Sequence, residues 1–303
     1  MSGEQSDRTS EDFRGDIPLW NKLEYPTRKR ITSGLKYVLL VIAAIVVFFP
    51  IFWMFNTAMR PVSSIVTQSP AVISSDITFE NYRALFAESD FLVYFRNSVI
   101  ITTGVVLLTT TFATLGGYGL TRIDIPHKKA FARGILFGYM FPAILLAIPM
   151  FILWNQVGIT NTYFGLILAI TARSLPFSLW LMWRFFITVP YSLEESAQIA
   201  GASRFRAFVD IALPLAKPGI IATSIFSFSV AWGDYTFSLI ILADRSLFPI
   251  TVGLERSFLA GGMFANWPQL MAGASIAVLP PLIFVYFLQK YFLRGFSPAG
   301  DAE

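Results

Sequence analysis

Arg173 lies in the apolar run from Phe164 to Trp183, and Asp234, the only acidic residue of comparable depth, lies in the run from Gly219 to Leu242. A charge at the centre of a bilayer costs at least about 2.5 kcal/mol on insertion scales, so such a residue faces a protein interior or a watery cavity and takes a partner. Arg173 and Asp234 are therefore expected on the pathway side of a helical bundle, paired with each other. The alternative is that the runs slide and leave both near the outer interface. Trp232 and Tyr235 flank Asp234. Aromatic faces beside a carboxylate suit a hydroxylated ring, although aromatic residues in such runs also serve as packing and interface anchors. Other chemistry is scarce. With 0 cysteines, disulfides, thiolate metal sites and cysteine nucleophiles are excluded, and the one histidine, His127, sits in a basic loop beside Lys128 and Lys129. No paired acids, metal cluster or serine with its base falls inside the runs. No Gly-x-x-x-x-Gly-Lys-Ser/Thr phosphate loop occurs either, so any ATP must be handled by another chain.

A second group of ionisable residues stands between two apolar runs, in the connection from Val189 to Pro218. At about 30 residues it is long for a passive link. Ser192 followed by Glu195 fits a capping box, in which each side chain satisfies a backbone donor at a helix start. That helix would align Leu193, Ala197 and Ala200 and stop at Gly201, a residue suited to a left-handed terminus. A second short helix would follow Ser203, with Phe205, Phe208, Val209, Ala212 and Leu213 at amphipathic spacing, until Pro214 and Pro218 break it. The segment reads as two short helices meeting at a glycine beneath a bundle.

The elements that must position these residues follow from composition. Of 303 residues, 55% are hydrophobic and 14% charged, and the mean hydropathy is +0.61. A disordered chain is excluded and lipid is the expected solvent. Six stretches are long and apolar enough to span it: Tyr37 to Met59, Ser98 to Leu120, Gly134 to Trp154, Phe164 to Trp183, Gly219 to Leu242 and Leu270 to Leu288. The expected fold is therefore all-α, a polytopic membrane protein with six transmembrane helices and a two-helix loop. Six spans put both termini on one side. Seventeen of the 23 basic residues lie on that side, in the N-terminal tail, the second and fourth connections and the C-terminus, against five opposite. The positive-inside bias places those segments in the cytoplasm. The domain reading is a polar N-terminal tail over 1–35, a six-span body over 36–295 with the loop 189–218, and a C-terminal tail over 296–303. The N-terminal tail lacks a signal-peptide cleavage pattern, and its stretch from Lys22 to Lys36 suits a membrane surface. The formal charge of +4 gives no reason to expect nucleic acid.

The loop resembles the EAA loop of ABC importer permeases, whose pattern is Glu-Ala-Ala, three residues, Gly, then Pro about a dozen residues on. The matching positions are Glu195, Ser196, Ala197, Gly201 and Pro214, with Ser196 replacing the family's alanine and Ala200 replacing the aspartate that sugar importers carry before the glycine. Further segments are similar to carbohydrate permeases of the maltose type, second subunit: Thr78 to Phe86, Phe95 to Val99, Gly117 to Arg122, Ile148-Pro149, Gly158 to Thr162, Leu175 to Trp180 and Phe185-Phe186. The resemblance implies half of a translocation pathway, working by alternating access with a second, different permease subunit. Two copies of a cytoplasmic ATPase carrying ATP and Mg, and an extracytoplasmic solute-binding protein, complete it; this chain binds no cofactor or metal. It also implies that Glu194 to Ala200 is a coupling helix, with Glu194, Glu195, Ser196, Ala197, Gly201 and Pro214 carrying ATPase coupling and Glu195 facing a basic residue of the ATPase. The implied cargo is a sugar or related polyol. Glycerol phosphate or another small solute is the alternative, for which Arg173 suits an anion. An ion-coupled secondary transporter is the rival of another class; it has no use for the loop pattern.

Overall fold

A computed structural model describes residues 25–61, 76–124, 126–259 and 266–296, and these contain helices and no strands. The N-terminal expectation for residues 1–24 and the tail beyond 296 lie outside the described residues. The chain divides into two compact units, Met1–Trp53 and Met54–Glu303. The first is dominated by α1 (Tyr25–Ala58), which remains helical through Pro50. Its apolar stretch has a mean hydropathy of 2.9 with none of that window buried in the protein. A helix apolar on every side is built to face lipid. Helix begins at Tyr25 and its apolar stretch at Thr32, so the segment from residue 25, expected as tail, is helical and continuous with the first span.

In the second unit, α2 (Glu80–Glu88) leads into α3 (Phe91–Arg122), followed by α4 (Lys128–Tyr139), α5 (Ala143–Gln156) and α6 (Tyr163–Thr188). Next come α7 (Tyr191–Ile199), α8 (Arg204–Leu215), α9 (Lys217–Trp232) and α10 (Thr236–Ile241). The chain then forms α11 (Ile250–Phe258), α12 (Trp267–Ala277) and α13 (Leu279–Phe296). Four apolar stretches cross-length in size are continuous: Thr32–Ala58, Phe91–Arg122, Tyr163–Thr188 and Trp267–Leu288. The other two expected spans are not straight helices. The third is bent by 91° between Ala130–Tyr139 and Ala143–Gln156, because Pro142 disfavours helical backbone at the residue before it. The fifth, expected unbroken from Gly219 to Leu242, ends at Trp232 and restarts at Thr236. Its start joins the loop, with Arg204–Leu215 and Lys217–Trp232 meeting at 71°.

The centre of the second unit is the packing of α3, α6, α9 and α10. Ile101, Val105, Leu166, Ala169, Ile170, Ala231, Phe237 and Ile241 are buried together there. Hydrocarbon gives apolar helices little reason to associate, so close approach and interhelical hydrogen bonds must do so. Both are present: the hydroxyls of Thr109 and Ser174 lie 2.9 Å apart, and those of Thr110 and Ser224 3.2 Å apart. At Gly117 the backbones of α3 and α6 come so close that an added Cβ would meet Met182 Cβ and the Trp183 nitrogen, each at 2.8 Å. Gly119, two residues on, has only Ile123 Cδ1 at 3.7 Å. Gly117→Ala is expected to destabilise the detergent-solubilised chain by about 1 to 3 kcal/mol through overpacking, read as a lowered thermal midpoint. Gly119→Ala is expected to leave it unchanged or slightly raised, by the better helix propensity of alanine.

Candidate functional site

Two sites emerge: the α7–α8 loop and the break between α9 and α10. Helix α7 begins at Tyr191 after Pro190, with no side chain capping its first turn. The expected capping box is therefore not formed. Ser192 lies inside the helix, and its carbonyl accepts a hydrogen bond from the Ser196 hydroxyl at 2.8 Å. The C-terminal end follows the expectation: the Gly201 nitrogen donates to Gln198 O and the Ala202 nitrogen to Ala197 O, at 3.0 and 2.9 Å. Gly201 has φ +96°, backbone that side-chain-bearing residues rarely adopt. Ser203 caps α8 by accepting from the Arg206 nitrogen at 3.2 Å. Pro214 does not break α8. The turn before it, Phe208–Ala212, widens to a π-helix that makes room for the proline ring, and the chain bends at Ala216 instead. Phe208 and Ala212 are buried as expected, whereas Phe205, placed on the same face from spacing, is 74% exposed.

The adjacent acids of α7 part company, as neighbours about 100° apart on a helix must. Glu195 and Ser196 are exposed and Ala197 is half-buried. Glu194, grouped in the sequence with the partner-facing residues, points inward with 0% exposure. Arg122, at the end of α3, donates from Nε to Glu194 Oε1 at 2.7 Å, and the Tyr118 hydroxyl donates to Oε2 at 2.8 Å. Arg122 Nη2 also lies 2.7 Å from Oε1 and donates to Val189 O at 2.9 Å, while its guanidinium covers the Tyr191 ring at 5.2 Å. Sequence reasoning did not pair Glu194 with Arg122; two adjacent acids at the start of an amphipathic helix were the signal that one must turn inward.

At the second site the structure brings Arg173 Nη1 to 3.7 Å from Asp234 Oδ1, with side-chain exposures of 33% and 1%. That separation is an ion pair without a hydrogen bond. The other oxygen, Oδ2, accepts from the backbone nitrogen and hydroxyl of Ser238, both at 2.9 Å, and the Asp234 carbonyl accepts from Thr251 Oγ1 at 2.6 Å. Side-chain bonding to nearby backbone competes with helix continuation, which is why the fifth span breaks here. Arg173 lies ten residues into α6, about 15 Å along it. Of the flanking aromatics, Tyr235 is partly open. Trp232 is buried, donates from Nε1 to Ala277 O at 3.0 Å and stacks on Phe228 at 5.7 Å, so here it is a packing residue.

The connection after α10 is clamped by two asparagines from the segments Phe95 to Val99 and Gly158 to Thr162. Asn161 Oδ1 accepts from the Ala243 and Asp244 nitrogens, both at 2.9 Å, and Asn97 Nδ2 donates to Ser246 O and Phe248 O at 2.8 and 3.0 Å. Among the described residues, no group of three or more His, Cys, Asp or Glu is placed to hold a metal ion.

Residues 113–298, from within α3 through both sites and all of α13, match the family described as the binding-protein-dependent transport system inner membrane component. The chain belongs to that family. It is similar to the diacetylchitobiose uptake system permease protein DasC of Streptomyces coelicolor, 30% identical over 84% of this chain and 94% of that one. It is also similar to the maltodextrin transport system permease protein MalD of Streptococcus pneumoniae, 29% identical over 90% and 97%. A chain from the crystal structure of a bacterial ABC transporter involved in import of the acidic polysaccharide alginate shares the fold, with TM-score 0.75 and 24% identity over 89% of this chain and 99% of that one. The protein is thus an ABC importer permease subunit, of a family whose ATP hydrolysis occurs on separate subunits.

The two ion pairs differ in kind, and double-mutant cycles to alanine, read by thermal or chemical unfolding of the solubilised chain, are expected to separate them. The Arg122/Glu194 coupling energy should reach about 2 to 3 kcal/mol, as for contacting residues in one buried network. The longer, partly solvated Arg173/Asp234 pair should give about 1 kcal/mol or less.

Proposed function

We propose that this chain is one of two different permease subunits of a sugar importer and that the ATPase docks on its α7–α8 loop. The distribution of side chains on that loop carries the reading. Glu194 is consumed internally, while Glu195 faces outward with Ile199, 88% exposed, and Phe205, 74% exposed. Large apolar side chains on a polar loop are the mark of a surface that another protein covers. Basic-residue bias supports a cytoplasmic position for this loop, where an ATPase dimer would be available to it. Two ATPase copies, carrying ATP and Mg, would then drive alternating access as they close, with Glu195 opposite a basic residue of the ATPase and Gly201 allowing α7 and α8 to turn on each other.

A sugar or related polyol is the cargo best supported, because relatives matching nearly the whole chain are named for diacetylchitobiose and maltodextrin uptake. Arg173, Asp234 and Tyr235, beside a broken helix, supply the polar groups and the aromatic face that such a solute meets on its way through. An extracytoplasmic binding protein delivers it, consistent with the binding-protein-dependent family. A small anionic solute such as glycerol phosphate is the second reading, favoured by the open third of the Arg173 side chain.

The full transporter in proteoliposomes tests the docking. Wild type is expected to co-purify with its ATPase. Glu195→Ala and Gly201→Val, the latter forcing a branched residue into φ +96°, should each lower binding-protein-stimulated ATP hydrolysis and uptake about tenfold or more. A wild-type chain that binds no ATPase, or full activity in both variants, contradicts the assignment.

A further inference from the structure

We infer that Arg122, Glu194 and Tyr118 form an internal joint that fastens the docking helix α7 to α3 and α6, and that Glu194 is a positioning residue for energy coupling rather than a contact to the ATPase. The inference rests on the reading of α7–α8 as the docking loop and says how a push on that loop reaches the membrane.

A docking helix transmits motion only if it cannot roll. α7 is flanked by Val189-Pro190 on one side and by Gly201, at φ +96°, on the other, and those short connections alone leave it free to turn. The joint removes that freedom. Glu194 has no exposed surface and receives bonds on both oxygens, at 2.7 Å from Arg122 and 2.8 Å from Tyr118. Arg122 closes the circle by donating to Val189 O at 2.9 Å, just past the end of α6, and by covering the ring of Tyr191 in the first turn of α7. One guanidinium therefore holds the end of α3, the end of α6 and the start of α7. Tyr118 extends the contact to a fourth element, its ring lying 5.5 Å from Phe186 and 4.4 Å from Phe208. Directly beside Tyr118, the Gly117 contact with Met182 presses α3 on α6, so displacement of the joint carries both helices together. A buried carboxylate stripped of its cation is far costlier than a weakened surface pair, which makes the joint all-or-none rather than elastic.

The test uses the assembled transporter in proteoliposomes with its ATPase and binding protein, and reads solute moved per ATP hydrolysed together with ATPase copies bound per complex. Glu194→Gln keeps shape and removes the charge; Tyr118→Phe removes one bond and keeps the ring contacts. Glu194→Gln is expected to retain bound ATPase while solute moved per ATP falls about tenfold or more, and Tyr118→Phe to lower that ratio about threefold. A residue needed only for folding would reduce the amount of complex without changing the ratio. If Glu194→Gln does not assemble, Tyr118→Phe decides. Ratios within twofold of wild type in the variants that assemble would overturn the joint. Loss of bound ATPase in Glu194→Gln but not in Glu195→Ala would also overturn it, since Glu194 would then be the docking contact. Loss of ATPase binding by wild type would instead defeat the docking reading itself.

Discussion

A carboxylate with no solvent exposure, Glu194, sits where three helices end or begin, and the arrangement of the loop follows from satisfying it. Removing such a group from water costs several kcal/mol unless a cation and further donors meet it at good geometry. Arg122 and Tyr118 meet both oxygens. Once Glu194 must point at the end of α3, the rotation of α7 about its axis is fixed, and the neighbouring Glu195 has no choice but to face outward. The left-handed turn at Gly201 then sets the direction in which α8 leaves.

The same economy operates at the other ion pair, with a different result. Asp234 gives one oxygen to Ser238 and leaves the second opposite Arg173 at 3.7 Å. Its first role is therefore local: it ends one helix and begins the next. Only then does it hold a cation beside the gap. A helix interrupted within a span exposes backbone and polar side chains, and membrane proteins tolerate such breaks only where protein or a water-filled cavity lies alongside. Trp232, hydrogen-bonded to Ala277 O, and Thr251, bonded to the Asp234 carbonyl, hold the two sides of the break in place.

Much of this was legible in the residues. Hydropathy located all six apolar stretches, because twenty apolar residues in a row leave little else to be. It did not show that the third is bent and the fifth interrupted, since the causes are local: a proline at 142 and a side chain at 234 that accepts from the Ser238 nitrogen four residues on. In the loop, Gly201 and Ser203 announced themselves as helix stop and start, because each has a geometric preference that no partner needs to supply. Ser192 misled, because a helix that starts at Tyr191 leaves it inside the first turn. Glu194 misled for another reason. Its partner stands 72 positions earlier in the chain, and the orientation of a charged residue on a short helix is a tertiary fact that spacing does not contain. The same holds for Phe205, at a position that periodicity placed inward.

The central claim is that α7 and the α3–α6 pair move as one body when the ATPase subunits close. The chain has 0 cysteines, so two introduced ones are its only thiols. Exposed Leu107 on α3 and Leu193 on α7 suit this, as neither belongs to the outward surface assigned to docking. Spin labels at Leu107→Cys and Leu193→Cys, in a transporter assembled from otherwise cysteine-free partners, report their separation by pulsed electron resonance, first without nucleotide and then trapped with ATP. A rigid body predicts that this distance stays within about 2 Å between the two states. A change above about 5 Å, roughly one helical turn, between the two labels would contradict the rigid joint.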